Sequence, residues 1–235
     1  MKLNELIYKI HRKWAKIRLV PIRVFCFHQT SEQFDASTMY PGDWTQIEQF
    51  KRNVEQLHKQ YTFISLSEAH RKLQHDIFRC KRFAVLTADD GWLSIQNILP
   101  WLNEQQIPIT LFLNPAYLKG DETRENNMTE LLTWDELKNM LDKYANITIA
   151  SHGWNHTLAC DMKDGEFTES VIHAHHYLEQ NNRYIPFYAY PCGKRTSKTE
   201  SVLKHNGIIP VYMDGNRNYT FDGGIHRELL DGLCL

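Results

Sequence analysis

Phe83-Ala84-Val85-Leu86-Thr87-Ala88-Asp89-Asp90-Gly91 is the stretch on which the fold turns. A short apolar run with β-branched members reads as a strand, and it stops at two carboxylates and a glycine. Outward from it the same design repeats. Strands are predicted at residues 22–27, 61–64, 83–87, 108–113, 147–150, 186–190 and 208–212, with helical periodicity between them. Trp44, Ile47, Phe50, Val54 and Leu57 form one apolar face, and Trp134, Leu137, Met140 and Leu141 form another. Ser67 before Glu68, and Thr133 three residues before Glu136, mark expected helix starts, the second as a capping box. Seven strands alternating with helices predict an α/β architecture with a parallel sheet, either open and doubly wound or closed into a barrel.

Parallel α/β folds carry their chemistry at the C-terminal ends of strands, so the polar residues that end these runs are the informative ones. The first run leads into His28, the third into Asp89-Asp90-Gly91, the fifth into Ser151-His152-Gly153-Trp154-Asn155-His156, and the sixth into Tyr190-Pro191-Cys192-Gly193. Two carboxylates and three imidazoles are thereby expected on one rim. His152 and His156 can face one cation if their loop makes a single turn, and an adjacent carboxylate completes a set with positions open for water and substrate. The two aspartates need different work. A carboxylate on the cation stays ionised, while its neighbour accepts a proton from water. Gly91 is expected to turn the backbone so that consecutive side chains share one site. A histidine opposite would protonate a leaving amine. Singly, each piece has a plainer reading. Asp-Asp-Gly is commonly a turn, HxxxH pairs arise by chance among 12 histidines, and His173, His175 and His176 read as surface or packing residues.

Bulk properties narrow the field. The 235 residues suit one generous domain, and 42% hydrophobic with 23% charged residues is ordinary for a globular chain. A net charge of −1 gives no reason to expect a nucleic-acid partner, and no GxGxxG or Walker-type loop follows a strand. Five scattered cysteines without a CxxC pair read as reduced thiols. The sequence shows neither a membrane-spanning run nor a secretory signal, so a cytoplasmic protein is expected. Residues 1–23 hold seven basic residues against one acid, a net of +6, and the remainder carries −7. Within that segment Leu3, Leu6, Ile7, Ile10, Trp14 and Ile17 form an apolar stripe. Residues 1–21 are expected as a basic amphipathic helix ahead of a single domain over 22–235. The helix either packs across the domain or rests peripherally on an anionic inner membrane face.

The motif order resembles the polysaccharide deacetylases, the carbohydrate esterase family with the NodB-homology domain. The family's T-F-D-D-G looks like Thr87-Ala88-Asp89-Asp90-Gly91, its H-S/T-x-x-H like His152-Gly153-Trp154-Asn155-His156, and its R-x-P-x-G like Ala189-Tyr190-Pro191-Cys192-Gly193. Trp134-Asp135-Glu136-Leu137 sits where members carry a similar helix start, and the likeness runs over residues 22–230. The resemblance implies a distorted seven-stranded (β/α) barrel and an N-acetylated saccharide substrate, whether polysaccharide, oligosaccharide or lipid-linked glycan. It implies Asp89 as general base. Asp90, His152 and His156 would be ligands of a divalent ion, zinc first, with cobalt, nickel or iron compatible. The Cys192 N–H would face the oxyanion, with Tyr190, Pro191 and Trp92 as further substrate contacts; Trp92, Trp154 and Tyr190 would stack on sugar or pack in the barrel.

Three departures stand out. Ala189 replaces an arginine that pairs with the base in many members, so the basicity of Asp89 must be set differently. Gly153 replaces a small hydroxyl residue, removing one loop hydrogen bond. The late L-x-H motif has only a poor match in Ile225-His226-Arg227. His28 offers a better acid, similar to the circularly permuted poly-N-acetylglucosamine deacetylase branch, whose acid strand moves to the N-terminus. That branch commonly shows Tyr-Pro-x-Gly without the arginine. His28 is the expected general acid. An O-acetyl esterase using the same site, and a sugar- or metal-binding barrel without turnover, are the competing expectations.

Overall fold

The computed structural model describes residues 19–36, 42–120 and 131–230, so residues 1–18 of the expected basic helix lie outside the described residues. Ten strands are described: β1 (Ile22–Phe27), β2 (Gln29–Ser31), β3 (Trp44–Gln46), β4 (Thr62–Phe63), β5 (Phe83–Ala88), β6 (Ile109–Leu113), β7 (Ile147–Ser151), β8 (Tyr184–Ala189), β9 (Ile209–Met213) and β10 (Ile225–Leu229). The main helices are α1 (Ile47–His58), α2 (Leu66–His75), α3 (Leu99–Glu104), α4 (Pro115–Lys119), α5 (Trp134–Lys143), α6 (Asp164–Leu178) and α7 (Ser197–His205). None among the described residues is long and apolar enough to cross a membrane.

All pairings in the main sheet are parallel, and β1 closes it by pairing with both β10 and β5. The ring is therefore β1-β5-β6-β7-β8-β9-β10, a closed barrel of seven strands. Its membership differs from the expected one by a strand. β1 occupies one edge of β5 along its whole length, so β4, on Phe83 and Ala84, and β6, on Leu86 to Ala88, share the other edge end to end. The run expected at 61–64 is thus a short outrigger, and β10, unforeseen, completes the ring.

Alternation along the strands sorts two cores. Ile22, Val24, Phe83, Val85, Phe112, Ala150, Phe187, Val211 and Ile225 fill the barrel, plugged by Leu66, Ala69 and Leu73 of α2. Phe25, Phe27, Ala84, Leu86, Leu111 and Ile149 face outward against Phe50, Val54 and Leu57 of α1 and Leu137, Met140 and Leu141 of α5. Each valine, leucine, isoleucine, methionine or phenylalanine among them contributes roughly 1.5–3 kcal/mol on burial. The α2 start is capped by Ser65, whose side chain accepts from the Glu68 N–H at 3.2 Å, and not by Ser67. The reason is spacing: only Ser65 stands three residues before that glutamate. The Thr133–Glu136 capping box is formed as expected.

Candidate active site

β5 delivers Asp89 and Asp90 to the rim. The reversal that lets both face one site begins at Asp90 itself, with φ 72°, and continues at Gly91, with φ 77°. Aspartate enters this left-handed region more readily than most residues. Trp92 is only 2% exposed and donates from Nε1 to Asp90 Oδ2 at 3.1 Å. Expected as a substrate contact, it is instead a buried support beneath Asp90.

β7 delivers the two histidines on a tightly braced loop. Gly153 has φ 86°, and a Cβ there would lie 3.2 Å from the Tyr188 hydroxyl, so backbone and space both call for glycine. The loop hydrogen bond expected to be lost with the hydroxyl residue is replaced: the Gly153 N–H donates to Ser151 Oγ at 3.2 Å. Asn114, at the end of β6, donates to the His152 carbonyl at 2.7 Å, and the Tyr117 hydroxyl donates to that of Asn155 at 2.7 Å. His156 then turns inward with φ 60°. Asp90, His156 and Cys192 are three of the four described non-glycine residues with positive φ, which concentrates backbone strain on this rim.

The donors converge. His156 Nε2 lies 3.2 Å and His152 Nε2 3.5 Å from Asp90 Oδ1, and the three ligand atoms lie within 4.8 Å of one another. His152 Nδ1 is 2.9 Å from the Ala189 carbonyl, which can only accept, so Nδ1 carries the hydrogen and the Nε2 lone pair faces the carboxylate. Burial, followed by the opposing pull of Asp89, leaves the His152 imidazole pushed down to about 4, hence neutral at physiological pH. Two acceptors facing each other at this distance fit a shared cation. The Asp90, His152 and His156 set passes that test for a divalent metal.

Asp89 is fixed by a residue that sequence reasoning passed over. Arg227, from β10, reaches it with two parallel bonds, Nη1 to Oδ1 at 2.7 Å and Nη2 to Oδ2 at 2.8 Å, and also donates to Thr87 Oγ1 at 3.1 Å. Burial raises the Asp89 carboxyl, but the Arg227 charge, and after it His152, prevail and hold it at about 2. The arginine missing at Ala189 is thus supplied from the far end of the chain. A signal was available: Arg227 alternates with Ile225 and Leu229, and a cation at an inward strand position needs an anion.

His28, which follows β1, stands beside Asp89 in the same cavity, about 220 Å³ in volume, which Asp90, His152, His156, Tyr190 and Cys192 also line. One of its ring nitrogens lies within 4.8 Å of Asp89, and Nδ1 is 3.9 Å from Asp43 Oδ1. His226 points elsewhere, bonded to Asp214 and Asp222. Cys192 stands at the rim with φ 51°. Pro191 is buried behind it, beside Gly153. The Tyr190 ring is 1% exposed and lies between Phe167 and Tyr212, so its faces serve packing. Trp154 stacks on His173 at 3.7 Å, and His175 bonds the Tyr184 hydroxyl.

A seven-stranded parallel barrel whose rim sets an Asp-His-His donor group beside a second, arginine-held carboxylate is the architecture of a hydrolytic centre. The family model described as polysaccharide deacetylase matches residues 79–211, more than half of the chain, and the chain belongs to that family of hydrolases. Solved structures share its fold. IcaB from Ammonifex degensii superposes with a TM-score of 0.73 at 20% identity, over 89% of this chain and 91% of that one. The Streptococcus pyogenes deacetylase PplD, in complex with acetate, gives 0.72 at 18% over 90% and 92%. A de-N-acetylase from Aggregatibacter actinomycetemcomitans gives 0.72 at 15% over 89% and 94%. No curated protein matches the sequence.

Proposed function

We propose that this chain is a divalent-metal-dependent deacetylase that hydrolyses the N-acetyl amide of an amino sugar in a polysaccharide, oligosaccharide or lipid-linked glycan. The observation that carries this reading is the His152 Nε2 lone pair, locked by the Ala189 carbonyl and aimed at Asp90 with His156 alongside. The PplD structure in complex with acetate and the protein described as a de-N-acetylase support the amide as the bond broken. Asp90, His152 and His156 would hold the ion, and two imidazoles with one carboxylate suit zinc first, with cobalt, nickel or iron compatible. When bound, it would polarise the acetyl carbonyl and make water more acidic.

The remaining work falls to the chain's own side chains. Asp89 takes a proton from the attacking water, with Arg227 fixing its orientation. His28, beside Asp89 in the cavity, gives a proton to the departing amine nitrogen. The Cys192 N–H faces the developing oxyanion, a role that contributes about 3–4 kcal/mol where it operates. Acetate release from a panel of N-acetylated saccharides, lipid-linked sugars and O-acetyl esters tests the proposal. Wild type should release acetate from an amide while Asp89→Asn and His28→Ala lose at least about a hundredfold. Release from esters alone would make it an esterase. No release from any member of the panel after metal loading would sink the enzyme reading.

A further inference from the structure

A second set of donors reaches from the rim to the layer below it. Even-numbered residues of β1 face the inside of the barrel, as Ile22 and Val24 do in the inner core, so Cys26 and His28 project to the same side. Asp89 follows β5, which pairs with β1 along its whole length. Cys26 Sγ, a His28 ring nitrogen and an Asp89 carboxylate oxygen all lie within 4.8 Å of one another. Cys26 is fully buried, and the polar contact of its Sγ with the neighbouring Phe27 carbonyl is long, at 3.7 Å.

We propose that Cys26, His28 and Asp89 form a second, thiol-containing site for a soft divalent cation such as zinc or cadmium, which silences the enzyme by occupying base and proton donor together. The silencing rests on the catalytic reading above; the binding does not. Sulfur, imidazole and carboxylate form a donor set that zinc accepts, and the thiol adds a preference for soft ions. The fork of Arg227 uses two of the roughly four lone-pair positions of the Asp89 carboxylate, leaving others for a metal. The Arg227 charge and an ion on Asp90, His152 and His156 both oppose a second cation, so this site fills later and more weakly. On binding, the S–H bond of Cys26 breaks, its proton leaves to solvent, and a sulfur–metal bond forms. His28 contributes a lone pair, Asp89 an oxygen, and nothing is oxidised or reduced.

The test is a titration of the full chain with cadmium chloride, and in parallel with zinc chloride. It is followed by equilibrium dialysis with metal analysis, ultraviolet absorption of the thiolate-to-cadmium charge-transfer band, and acetate release. Wild type should bind a second ion with the appearance of the band, and lose acetate release as zinc passes the first equivalent. Cys26→Ala and Cys26→Ser should bind one ion fewer than wild type, lack the part of the band that wild type owes to Cys26, retain activity at one equivalent, and stay active where wild type is silenced. His152→Ala, which disables the first set, should keep the band. A wild type with no band, or a band unchanged in both Cys26 variants, overturns the second site whatever the activity. A band that depends on Cys26 in a protein with no deacetylase activity at any metal level leaves the second site standing and overturns the catalytic reading instead.

Discussion

Arg227 is the residue on which the chemistry of Asp89 rests. The carboxyl is held at about 2, below its ordinary 3.8, because the guanidinium outweighs the effect of burial. A depressed folded value means stability that is present above the unfolded value and is lost as pH falls through the folded one. The pair therefore contributes about 2 kcal/mol at neutral pH, which disappears between roughly pH 4 and 2. Arg227→Met should cost more, about 3–5 kcal/mol at pH 7, because it strands a buried carboxylate; the deficit should shrink as acid protonates Asp89. Denaturant midpoints measured across that range check it, and a neutral-pH midpoint equal to wild type would show that the pair does not hold the fold. A second expectation concerns Trp92, whose indole bond to Asp90 orients a proposed ligand. Trp92→Phe should weaken zinc binding by about 10–100-fold in calorimetric titration while leaving the fold intact, and an unchanged affinity would remove the indole from that role. Asp90, His152 and His156 were legible as a set because HxxxH and Asp-Asp both close strands. Arg227 was only half legible: its inward position called for an anion, but the partner lies 138 residues away and only the closed barrel identifies it.

At the scale of elements, β10 and the turn that precedes it decide where Arg227 sits. The turn is clasped by His226, whose Nδ1 lies 2.9 Å from Asp214 Oδ2 and whose Nε2 lies 3.0 Å from Asp222 Oδ1. Asn218 adds bonds to the His226 N–H at 2.8 Å and carbonyl at 2.7 Å. Burial lowers the imidazole, but the two carboxylates prevail and raise it above the ordinary value. A raised histidine contributes stability that is complete below the unfolded value and is lost as pH rises through the folded one. His226→Gln should therefore lower the melting temperature most in mildly acidic buffer, with the difference narrowing as pH rises. A difference that widens with pH would mean that charge on His226 does not clasp the turn. β10 escaped the sequence reading because Arg227 takes the inward position between Ile225 and Leu229, where an apolar residue would have completed the alternation. The 61–64 run was legible as a strand, yet no periodicity reveals that β6 and β4 must divide one edge of β5. The Ser65 cap was within reach, since its spacing to Glu68 obeys the same rule that located Thr133.

For the whole molecule, the class of fold was readable because a barrel repeats one instruction, an apolar run ending in polar residues. What the repetition could not disclose is closure. β1 joins β5 to β10, and the Arg227–Asp89 pair spans that seam from within, so the proposed base and barrel closure share one ion pair. The proposed metal set makes a second tie across the rim, from the end of β5 at Asp90 to the loop after β7 at His152 and His156. An ion bound there by the folded chain alone must stabilise it by mass action, by about 2.7 kcal/mol at a free concentration one hundred times the dissociation constant. For a chain of this size that corresponds to a rise in melting temperature of roughly 5–10 °C. Chelation should lower the transition by that amount and abolish acetate release together, and zinc added back should restore both, with the transition rising further as free zinc increases. His156→Ala, which removes a proposed ligand at the rim, should melt near the chelated wild type and respond little to zinc. Scanning calorimetry at several free zinc concentrations makes the comparison, and a wild-type transition indifferent to both chelator and zinc would sink the metal assignment.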